Sequence, residues 1–177
     1  VLTGLAVVSA SLRGKAAKWS ALEGNAQAND RALVLSKIKA HPDFPQKGVL
    51  FQDVFPVMHE AQAVQALIRL LNDQVRTLGK VDVIVGLESR GFLFGPILAL
   101  LNDAAFVPVR KPGKLPGETI SVSYEKEYGK DTFEIQKGSI KSGARVVIFD
   151  DLLATGGSLY AATQLVQAAG AKVVECV

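Results

Sequence analysis

Residues 145–158 read Arg-Val-Val-Ile-Phe-Asp-Asp-Leu-Leu-Ala-Thr-Gly-Gly-Ser, and this stretch decides the fold class. Residues 145–149 form an apolar run with the length of a buried strand. Two carboxylates, Asp150 and Asp151, follow the run, and small residues then lead into a helix predicted over residues 159–169, which Gly170 ends. A strand, a small-residue turn and a helix in this order indicate one unit of an α/β domain.

The same alternation continues on both sides of this unit. Apolar runs predict strands at residues 81–85, 104–109 and 172–177, and helical spacing predicts helices at 61–78 and 91–101. A further helix is predicted over residues 31–40, with Asp30 as its N-cap and Pro42 as its stop signal. Residues 119–124 and 132–136 predict a pair of exposed antiparallel strands around the polar stretch 125–130. We therefore expect a mainly parallel sheet flanked by helices, with an inserted hairpin. Ligands bind at the carboxyl ends of such strands, so the residues after Val85, Val109 and Phe149 are expected to face one another.

The turn after the two aspartates suits an anion; its members are Ala154, Thr155, Gly156, Gly157 and Ser158. Small residues let backbone N–H groups approach a phosphate, the hydroxyls add donors, and the helix adds its positive N-terminal end. It is not a Walker A loop, because no Gly-Lys-Ser/Thr sequence follows. Ionised carboxylates accept hydrogen bonds only, so Asp150 and Asp151 suit a vicinal diol beside the phosphate. A phosphorylated ribose offers both groups; the alternative is a tight loop in which an aspartate caps a turn.

Composition indicates one soluble globular domain, since 49% of the 177 residues are hydrophobic and 21% are charged. The net charge of +3 is too small to indicate binding to nucleic acid or membrane. No stretch reaches the roughly 18 apolar residues of a transmembrane helix. Cys176 is the only cysteine, which excludes an intrachain disulfide and a multi-cysteine zinc site and fits a reducing compartment. We expect a cytoplasmic protein that acts on an anionic small molecule.

Residues 145–158 resemble the phosphoribosyl pyrophosphate signature of the type I phosphoribosyltransferases, which combines apolar, acidic and glycine-rich positions at fixed spacing. The resemblance implies that Asp150 and Asp151 hold the ribose hydroxyls and that residues 154–158 hold the 5-phosphate. It also implies the fold of that family, an α/β domain with a mainly parallel sheet flanked by helices, an inserted antiparallel lid hairpin and a small N-terminal hood.

Three further segments resemble the adenine-specific members of this family, the adenine phosphoribosyltransferases. Residues 86–92 read Gly-Leu-Glu-Ser-Arg-Gly-Phe after a predicted strand. The resemblance implies pyrophosphate contacts at Glu88, Ser89 and Arg90 and a cis peptide bond between Glu88 and Ser89. A guanidinium matches phosphate oxygens in pairs, so Arg90 is the expected contact. The alternative is a surface arginine at the start of a helix.

The second segment is a basic loop followed by the hairpin. Residues 109–117 read Val-Arg-Lys-Pro-Gly-Lys-Leu-Pro-Gly, and residues 123–129 read Ser-Tyr-Glu-Lys-Glu-Tyr-Gly. The resemblance implies a mobile lid whose Arg110, Lys111 and Lys114 neutralise the pyrophosphate. It also implies that Tyr128 closes over the site and that Glu127 is the catalytic residue that handles a proton on the base. Taken without the resemblance, a charged hairpin tip is more often a solvated face.

The third segment, residues 41–53, resembles the adenine-binding stretch of the family. The resemblance places the base at Leu50, Phe51 and Gln52. A backbone C=O and N–H pair near Leu50 and Gln52 could read the N6 donor and N1 acceptor of adenine, while Phe51 covers the ring. Hypoxanthine reverses both groups, and each unsatisfied buried partner costs about 1–3 kcal/mol. Gln52 stands where many relatives carry arginine, so the position keeps a main-chain role but not the side-chain role of those relatives. The alternative is an ordinary loop with core residues at Leu50 and Phe51, which would say nothing about which base is bound.

Together the resemblances imply an enzyme that transfers the 5-phosphoribosyl group from phosphoribosyl pyrophosphate to adenine, giving AMP and pyrophosphate in purine salvage. They imply a homodimer and a Mg²⁺ cofactor held through substrate oxygens and water, with no direct protein ligand. One alternative is a transferase for hypoxanthine, guanine or xanthine. Another is a module that senses phosphoribosyl pyrophosphate and regulates nucleic acid; the lid, the weak charge and the lack of a helix-turn-helix pattern disfavour it. We expect no nucleic-acid and no membrane partner.

We predict an N-terminal extension at residues 1–30 and a phosphoribosyltransferase domain at residues 31–177. The extension is apolar over residues 1–10 with basic residues after them, which suits either a targeting segment or a helix that packs on the domain. Family members usually continue beyond the segment that matches residues 173–176 into a further strand and helix. We expect both to be absent from this chain.

Overall fold

The structure is a computed structural model that describes residues 26–126 and 129–177. In chain order its elements are α1 (Ala26–Lys37), β1 (Lys39–Pro42), β2 (Leu50–Asp53), α2 (Phe55–Met58), α3 (Ala61–Thr77), β3 (Val83–Leu87), α4 (Gly91–Leu101), β4 (Ala105–Val109), β5 (Thr119–Lys126), β6 (Gly129–Gln136), β7 (Arg145–Phe149), α5 (Gly157–Ala168) and β8 (Lys172–Cys176). The described chain divides within α3, after Leu70, into two compact units. None of the described helices is long and apolar enough to cross a membrane.

The first unit holds α1, the antiparallel pair β1–β2, α2 and the first turns of α3. Its core packs Val34 of α1 with Val57 of α2 and with Ala63 and Ala66 of α3. Across this core, both carboxylate oxygens of Asp30 accept hydrogen bonds of 2.7 Å from the Arg69 guanidinium. Hydrogen bonding by Arg69 lowers the pKa of the Asp30 carboxyl, so this buried carboxylate ties α1 to α3.

Two local predictions in this unit were wrong. Asp30 does not cap a helix over residues 31–40, because α1 begins at Ala26 and Asp30 lies inside it, paired with Arg69. The helix ends at Lys37, and residues 39–42 pair instead with residues 50–53 as a strand. Both differences come from contacts with residues distant in sequence, which override local cap and helix signals.

The second unit is built on a four-stranded parallel sheet in the order β4-β3-β7-β8. Every residue of the central strand β3 is buried, and so are the last four of β7. Continuous apolar strands of this kind need cover on both faces, which α4 and α5 help to supply. The predicted α/β fold is confirmed. Several strand boundaries differ from the prediction by one to three residues; β3, for example, spans Val83–Leu87 instead of residues 81–85.

Three glycines let α4 approach the end of β3 closely. A Cβ atom on Gly91 would lie 2.8 Å from the Phe149 carbonyl oxygen and 3.1 Å from the Gly86 carbonyl carbon. A Cβ atom on Gly86 or Gly95 would lie 2.8 or 2.5 Å from the Phe106 ring. Real Cβ atoms do not come so close, so the helix can start beside the ends of β3 and β7 only if these positions lack side chains.

The inserted hairpin β5–β6 is antiparallel, as predicted, but only one of its faces is exposed. Tyr124, Phe133 and Ile135 are buried in the same cluster as Ala161 and Leu165 of α5. The prediction of an exposed hairpin was therefore wrong for this face. Polar residues alternate with these apolar ones along the strands, and the burial comes from packing against α5.

Candidate active site

The carboxyl ends of β3 and β7 open into a cavity of about 270 Å³. Residues from the turn after β3 and from the long turn after β7 line it: Glu88, Ser89, Arg90, Asp150, Leu152, Leu153, Ala154, Thr155, Gly156, Gly157, Ser158 and Leu159. Parallel pairing of β3 with β4 and β7 brings the three strand ends to one edge of the sheet. The expectation that residues after these strands face one another is confirmed.

The predicted phosphate cradle, residues 154–158, lines this cavity. Gly156 occupies the N-cap position of α5 with φ of 83°, a left-handed conformation that favours glycine. The α5 helix therefore starts at Gly157, two residues earlier than predicted, and Ser158 lies in its first turn. Backbone N–H groups and the positive end of the helix dipole at this place suit a phosphate.

Asp151 lies at the end of β7 and is held by Arg90. The Arg90 Nε donates to Asp151 Oδ2 at 2.5 Å, and the Asp151 side chain is 9% exposed. The second oxygen, Oδ1, is buried and accepts no hydrogen bond from the described residues. A buried acceptor without a donor is rare and fits a donor that a ligand would bring, such as a ribose hydroxyl.

Asp150 differs from its neighbour in its electrostatics. Burial raises the pKa of the Asp150 carboxyl to about 6, and the adjacent Asp151 charge adds to the effect. The Asp151 backbone N–H donates to Asp150 Oδ1 at 3.1 Å, which acts in the opposite direction, as does the Arg90 charge. The two carboxylates thus follow β7 side by side: Asp151 is paired with a cation, and Asp150, which lines the cavity, is penalised for its charge.

Glu88 joins the turn after β3 to the loop after β4. Its carboxylate accepts hydrogen bonds of 3.1 Å from Arg110 Nε, from the second Arg110 nitrogen and from the Lys111 backbone N–H. Hydrogen bonding by Arg110 is the main cause that lowers the pKa of the Glu88 carboxyl. The Glu88–Ser89 peptide bond is cis, which confirms that expectation.

Lys111 of the same loop also contacts a carboxylate, and Lys114 takes part through its backbone. The Lys111 ammonium pairs with Asp131 of β6 and lies 5.1 Å from the centroid of the Phe133 ring. The Lys114 carbonyl accepts a hydrogen bond of 3.1 Å from Arg110. The predicted anion-binding cations Arg90, Arg110 and Lys111 therefore each hold a carboxylate of this chain.

The structure thus brings together the ribose, phosphate and pyrophosphate residues of the prediction, but it does not test the whole set. Glu127 and Tyr128 lie outside the described residues. Leu50, Phe51 and Gln52 lie in β2 of the first unit, where Leu50 is exposed and Phe51 packs edge-on against Phe44. The adenine contacts therefore remain predictions.

Sequence reasoning missed two kinds of residue at the site. The close-packing glycines Gly91 and Gly95 were read as ordinary helix positions, although a helix that starts with Gly and carries another four residues on is a signal of close approach. Tyr124 and Asp131 were read as parts of an exposed hairpin. Their proximity to Lys111 and Ser158 depends on the fold of the hairpin onto α5.

Comparison with known proteins gives consistent matches. The family model described as a phosphoribosyl transferase domain matches residues 56–177. The adenine phosphoribosyltransferase of Candida albicans is 49% identical over 154 residues, which span 87% of this chain and 80% of that protein. The adenine phosphoribosyltransferase of Mus musculus is 52% identical over 147 residues, 82% of each chain.

Solved structures show the same similarity in three dimensions. The Saccharomyces cerevisiae adenine phosphoribosyltransferase, complexed with an imino-altritol bisphosphate and adenine, has a TM-score of 0.76 at 46% identity, covering 85% of this chain and 90% of that one. The Giardia lamblia enzyme complexed with 9-deazaadenine has a TM-score of 0.74 at 35% identity, covering 85% and 83%.

Proposed function

This chain belongs to the adenine phosphoribosyltransferase family, and we propose accordingly that it transfers the 5-phosphoribosyl group from phosphoribosyl pyrophosphate to adenine. The products are AMP and pyrophosphate, a step of purine salvage. One observation carries the proposal: Asp151 Oδ1 is a buried carboxylate oxygen that accepts no hydrogen bond from the described residues, and the adjacent Asp150 lines a cavity together with the phosphate cradle. Ribose hydroxyls beside a phosphate match this pair of features.

In the proposed complex, the 5-phosphate binds at residues 154–158 through backbone N–H groups and the Thr155 and Ser158 hydroxyls. Asp150 and Asp151 accept hydrogen bonds from the two ribose hydroxyls. Arg90 is already near this position through its pair with Asp151. It would contact the pyrophosphate together with Ser89, Lys111 and Lys114, with Arg110 held in place by Glu88.

Mg²⁺ is part of the proposal by analogy with the family, in which the ion would be held mainly by substrate oxygens and water. We name no direct protein ligand. When bound, the ion would supply positive charge that stabilises the leaving pyrophosphate.

The reaction would proceed by loosening of the bond between ribose C1 and the pyrophosphate oxygen, with attack by adenine N9 from the opposite face. Carboxylates of Asp150 and Asp151 near the sugar would stabilise the positive charge that develops on the ring. Glu127 would accept a proton from adenine, and Tyr128 would close over the site and exclude water. The base would be read by Leu50, Phe51 and Gln52. Cytoplasmic location and a homodimer are also proposed, by analogy with the family.

The deciding assay offers adenine, hypoxanthine and guanine separately, each with phosphoribosyl pyrophosphate, with and without Mg²⁺. AMP and pyrophosphate formed from adenine alone would support the reaction and the base. Formation of another nucleotide would show that the interpretation of residues 41–53 as an adenine-binding stretch is wrong. Binding of phosphoribosyl pyrophosphate without any product would favour a sensing module.

The catalytic role of Glu127 has its own test. Glu127→Gln keeps the shape of the side chain but cannot take up a proton, so turnover should fall about 10²–10⁴-fold while the affinity for phosphoribosyl pyrophosphate is kept. Glu118→Gln, an exposed carboxylate that pairs with Lys137, serves as the matched control. Unchanged turnover in Glu127→Gln would remove the residue from the mechanism.

A further inference from the structure

A chain of side-chain contacts joins the basic loop to the phosphate cradle and is not used in the function proposed above. The hydroxyl of Tyr124, on β5, lies 3.4 Å from Ser158 Oγ in the cradle. It also lies 3.4 Å from Oδ2 of Asp131, on β6. The Lys111 ammonium contacts this same carboxylate oxygen.

The Tyr124 ring is fixed by packing that does not need its hydroxyl. The residue is 7% exposed and belongs to the main core cluster, and its ring centroid lies 5.1 Å from that of Phe133. A phenylalanine would fill the same space. Packing of the ring therefore fixes the position of the Tyr124 hydroxyl, and the hydrogen-bond partners at that position indicate what the hydroxyl does.

The direction of the hydrogen bonds decides what the Tyr124 hydroxyl can do. Geometry alone allows either hydroxyl of the Tyr124–Ser158 pair to donate. Tyr124 has a single hydroxyl hydrogen, and the Asp131 carboxylate, which accepts only, already contacts the Lys111 ammonium. When the Tyr124 hydroxyl donates to Ser158 Oγ, the Ser158 hydrogen stays available for a phosphate oxygen; when it donates to Asp131, Ser158 Oγ is not held.

We infer that Tyr124 is a positioning residue that holds Ser158 Oγ in the cradle for the 5-phosphate by donating its hydroxyl hydrogen to it, with Asp131 as the competing acceptor. The inference rests on the proposed function of the cradle. With Oγ held, the Ser158 O–H has only to turn about the Cβ–Oγ bond to donate to a phosphate oxygen, and both hydrogen bonds are then present in the complex. Such preorganisation lowers the entropic cost of binding.

The probe for the test is ribose 5-phosphate, with its dissociation constant measured by calorimetry. It carries the 5-phosphate without the pyrophosphate, so contacts of Lys111 to pyrophosphate do not enter the result. Tyr124→Phe should weaken binding about three- to tenfold, the range of one hydrogen bond between neutral groups. In a Ser158→Ala background the same substitution should have no effect, because the hydroxyl that Tyr124 positions is gone.

An equal loss of affinity with and without the Ser158 hydroxyl would overturn the inference, because it would show a general effect on packing. No loss in the Tyr124→Phe variant, or no binding of ribose 5-phosphate to the wild-type protein, would overturn it as well. Asp131→Asn, as a second variant, weakens the acceptor that competes for the Tyr124 hydrogen and should not lower the affinity; a loss as large as that of Tyr124→Phe would overturn the assignment of Ser158 as the acceptor.

Thr132→Val is the matched control, since it removes a hydroxyl that contacts Ser123 Oγ at 2.9 Å on the same hairpin. It should leave ribose 5-phosphate affinity unchanged, and thermal unfolding should show that all variants are folded. AMP synthesis by the same wild-type preparation separates the two ideas. Absence of AMP would overturn the proposed function, whereas the binding cycle alone decides the role of Tyr124.

Discussion

Asp150 and Glu88 follow neighbouring strands of one sheet, yet their carboxylates are in opposite electrostatic situations. Burial raises the pKa of Asp150 to about 6, whereas the Arg110 guanidinium lowers the pKa of Glu88. The first carboxylate is unfavourable to the folded protein when charged, and the second is favourable. The charged Asp150 on the cradle side thus lowers the stability of the ligand-free protein. On the basic-loop side, the carboxylate and the guanidinium satisfy each other.

The same difference holds for the groups that would meet the substrate. The cradle offers backbone N–H groups and hydroxyls, and beside Asp150 stands Asp151, whose Oδ1 accepts no hydrogen bond within the described part of the chain. The basic loop offers Arg110 and Lys111, and both already hold carboxylates. A phosphate can enter the first region without displacing a protein group. A pyrophosphate must compete in the second with the ion pairs already formed, which favours a binding order in which the cradle is filled early.

The largest expected effect comes from filling the close contact that supports the cradle side. Gly91→Ala would place a methyl group 2.8 Å from the Phe149 carbonyl oxygen, one residue before Asp150. The methyl group would also lie 3.1 Å from the Gly86 carbonyl carbon. Both atoms belong to the backbone and cannot move aside, so the free energy of unfolding should fall by about 3 kcal/mol, and ribose 5-phosphate binding should be lost. Denaturant unfolding and calorimetry measure the two effects.

Leu100→Ala, on the exposed side of the same helix, is the control and should change stability by less than about 1 kcal/mol. Equal losses in the two variants would mean that the helix, and not its approach to Phe149, is the sensitive feature.

A second variant separates function from stability on the cradle side. Asp150→Asn should weaken phosphoribosyl pyrophosphate binding, because one acceptor for the ribose is changed, and yet raise the free energy of unfolding at pH 7. The folded protein holds the Asp150 proton up to about pH 6, whereas the unfolded chain releases it near 3.8. Wild-type stability therefore falls as pH rises through this window, and the variant avoids a loss of about 2 kcal/mol.

The gain should be present at pH 7 and nearly absent near pH 3, where the carboxyl is largely protonated in both states. Unfolding at the two pH values measures it. Asp103→Asn, the same substitution at an exposed aspartate, should show no such pH-dependent gain. A variant less stable than the wild type at pH 7 would show that Asp150 is not penalised for its charge.

The contrast between the regions also marks how far the sequence could predict the structure. Strand β7 and helix α4 were predicted with their observed bounds, because a continuous apolar run and a helical apolar pattern are local signals. The cradle turn was predicted for the same reason. Its residues are consecutive, so their meeting at one place needs no knowledge of the fold.

What the sequence could not predict depends on pairs distant along the chain. Arg90 and Asp151 are 61 positions apart, and Glu88 and Arg110 are 22 apart. The resemblance to the family implied pyrophosphate contacts at Glu88, Arg90 and Arg110 and a ribose contact at Asp151. The ion pairs among these residues appear only once the strand order is known. The buried face of the hairpin, with Tyr124, was missed for the same reason.

The smallest effect is expected on the basic-loop side, where Glu88→Gln removes the charge that holds Arg110 and the Lys111 backbone. The side chains of this pair keep partial contact with solvent, so the loss in the free energy of unfolding at pH 7 should be about 1 kcal/mol. Because hydrogen bonding by Arg110 lowers the folded-state pKa of Glu88 below its ordinary value of 4.5, the stabilisation is present above pH 4.5 and is lost as pH falls through the lowered pKa.

The difference between wild type and Glu88→Gln should therefore shrink in acid, whereas the difference for Asp150→Asn grows as pH rises from 3.8 to 6. Glu118→Gln, which breaks an exposed pair with Lys137, should give no measurable change at either pH. Unfolding curves of the three variants across this range would test the contrast directly. If Glu88→Gln lost the same stability at pH 3 as at pH 7, the carboxylate would act through its shape and not its charge. The two regions would then differ in packing alone. Only opposite pH dependences would show that the charge of Asp150 destabilises the folded protein while the charge of Glu88 stabilises it.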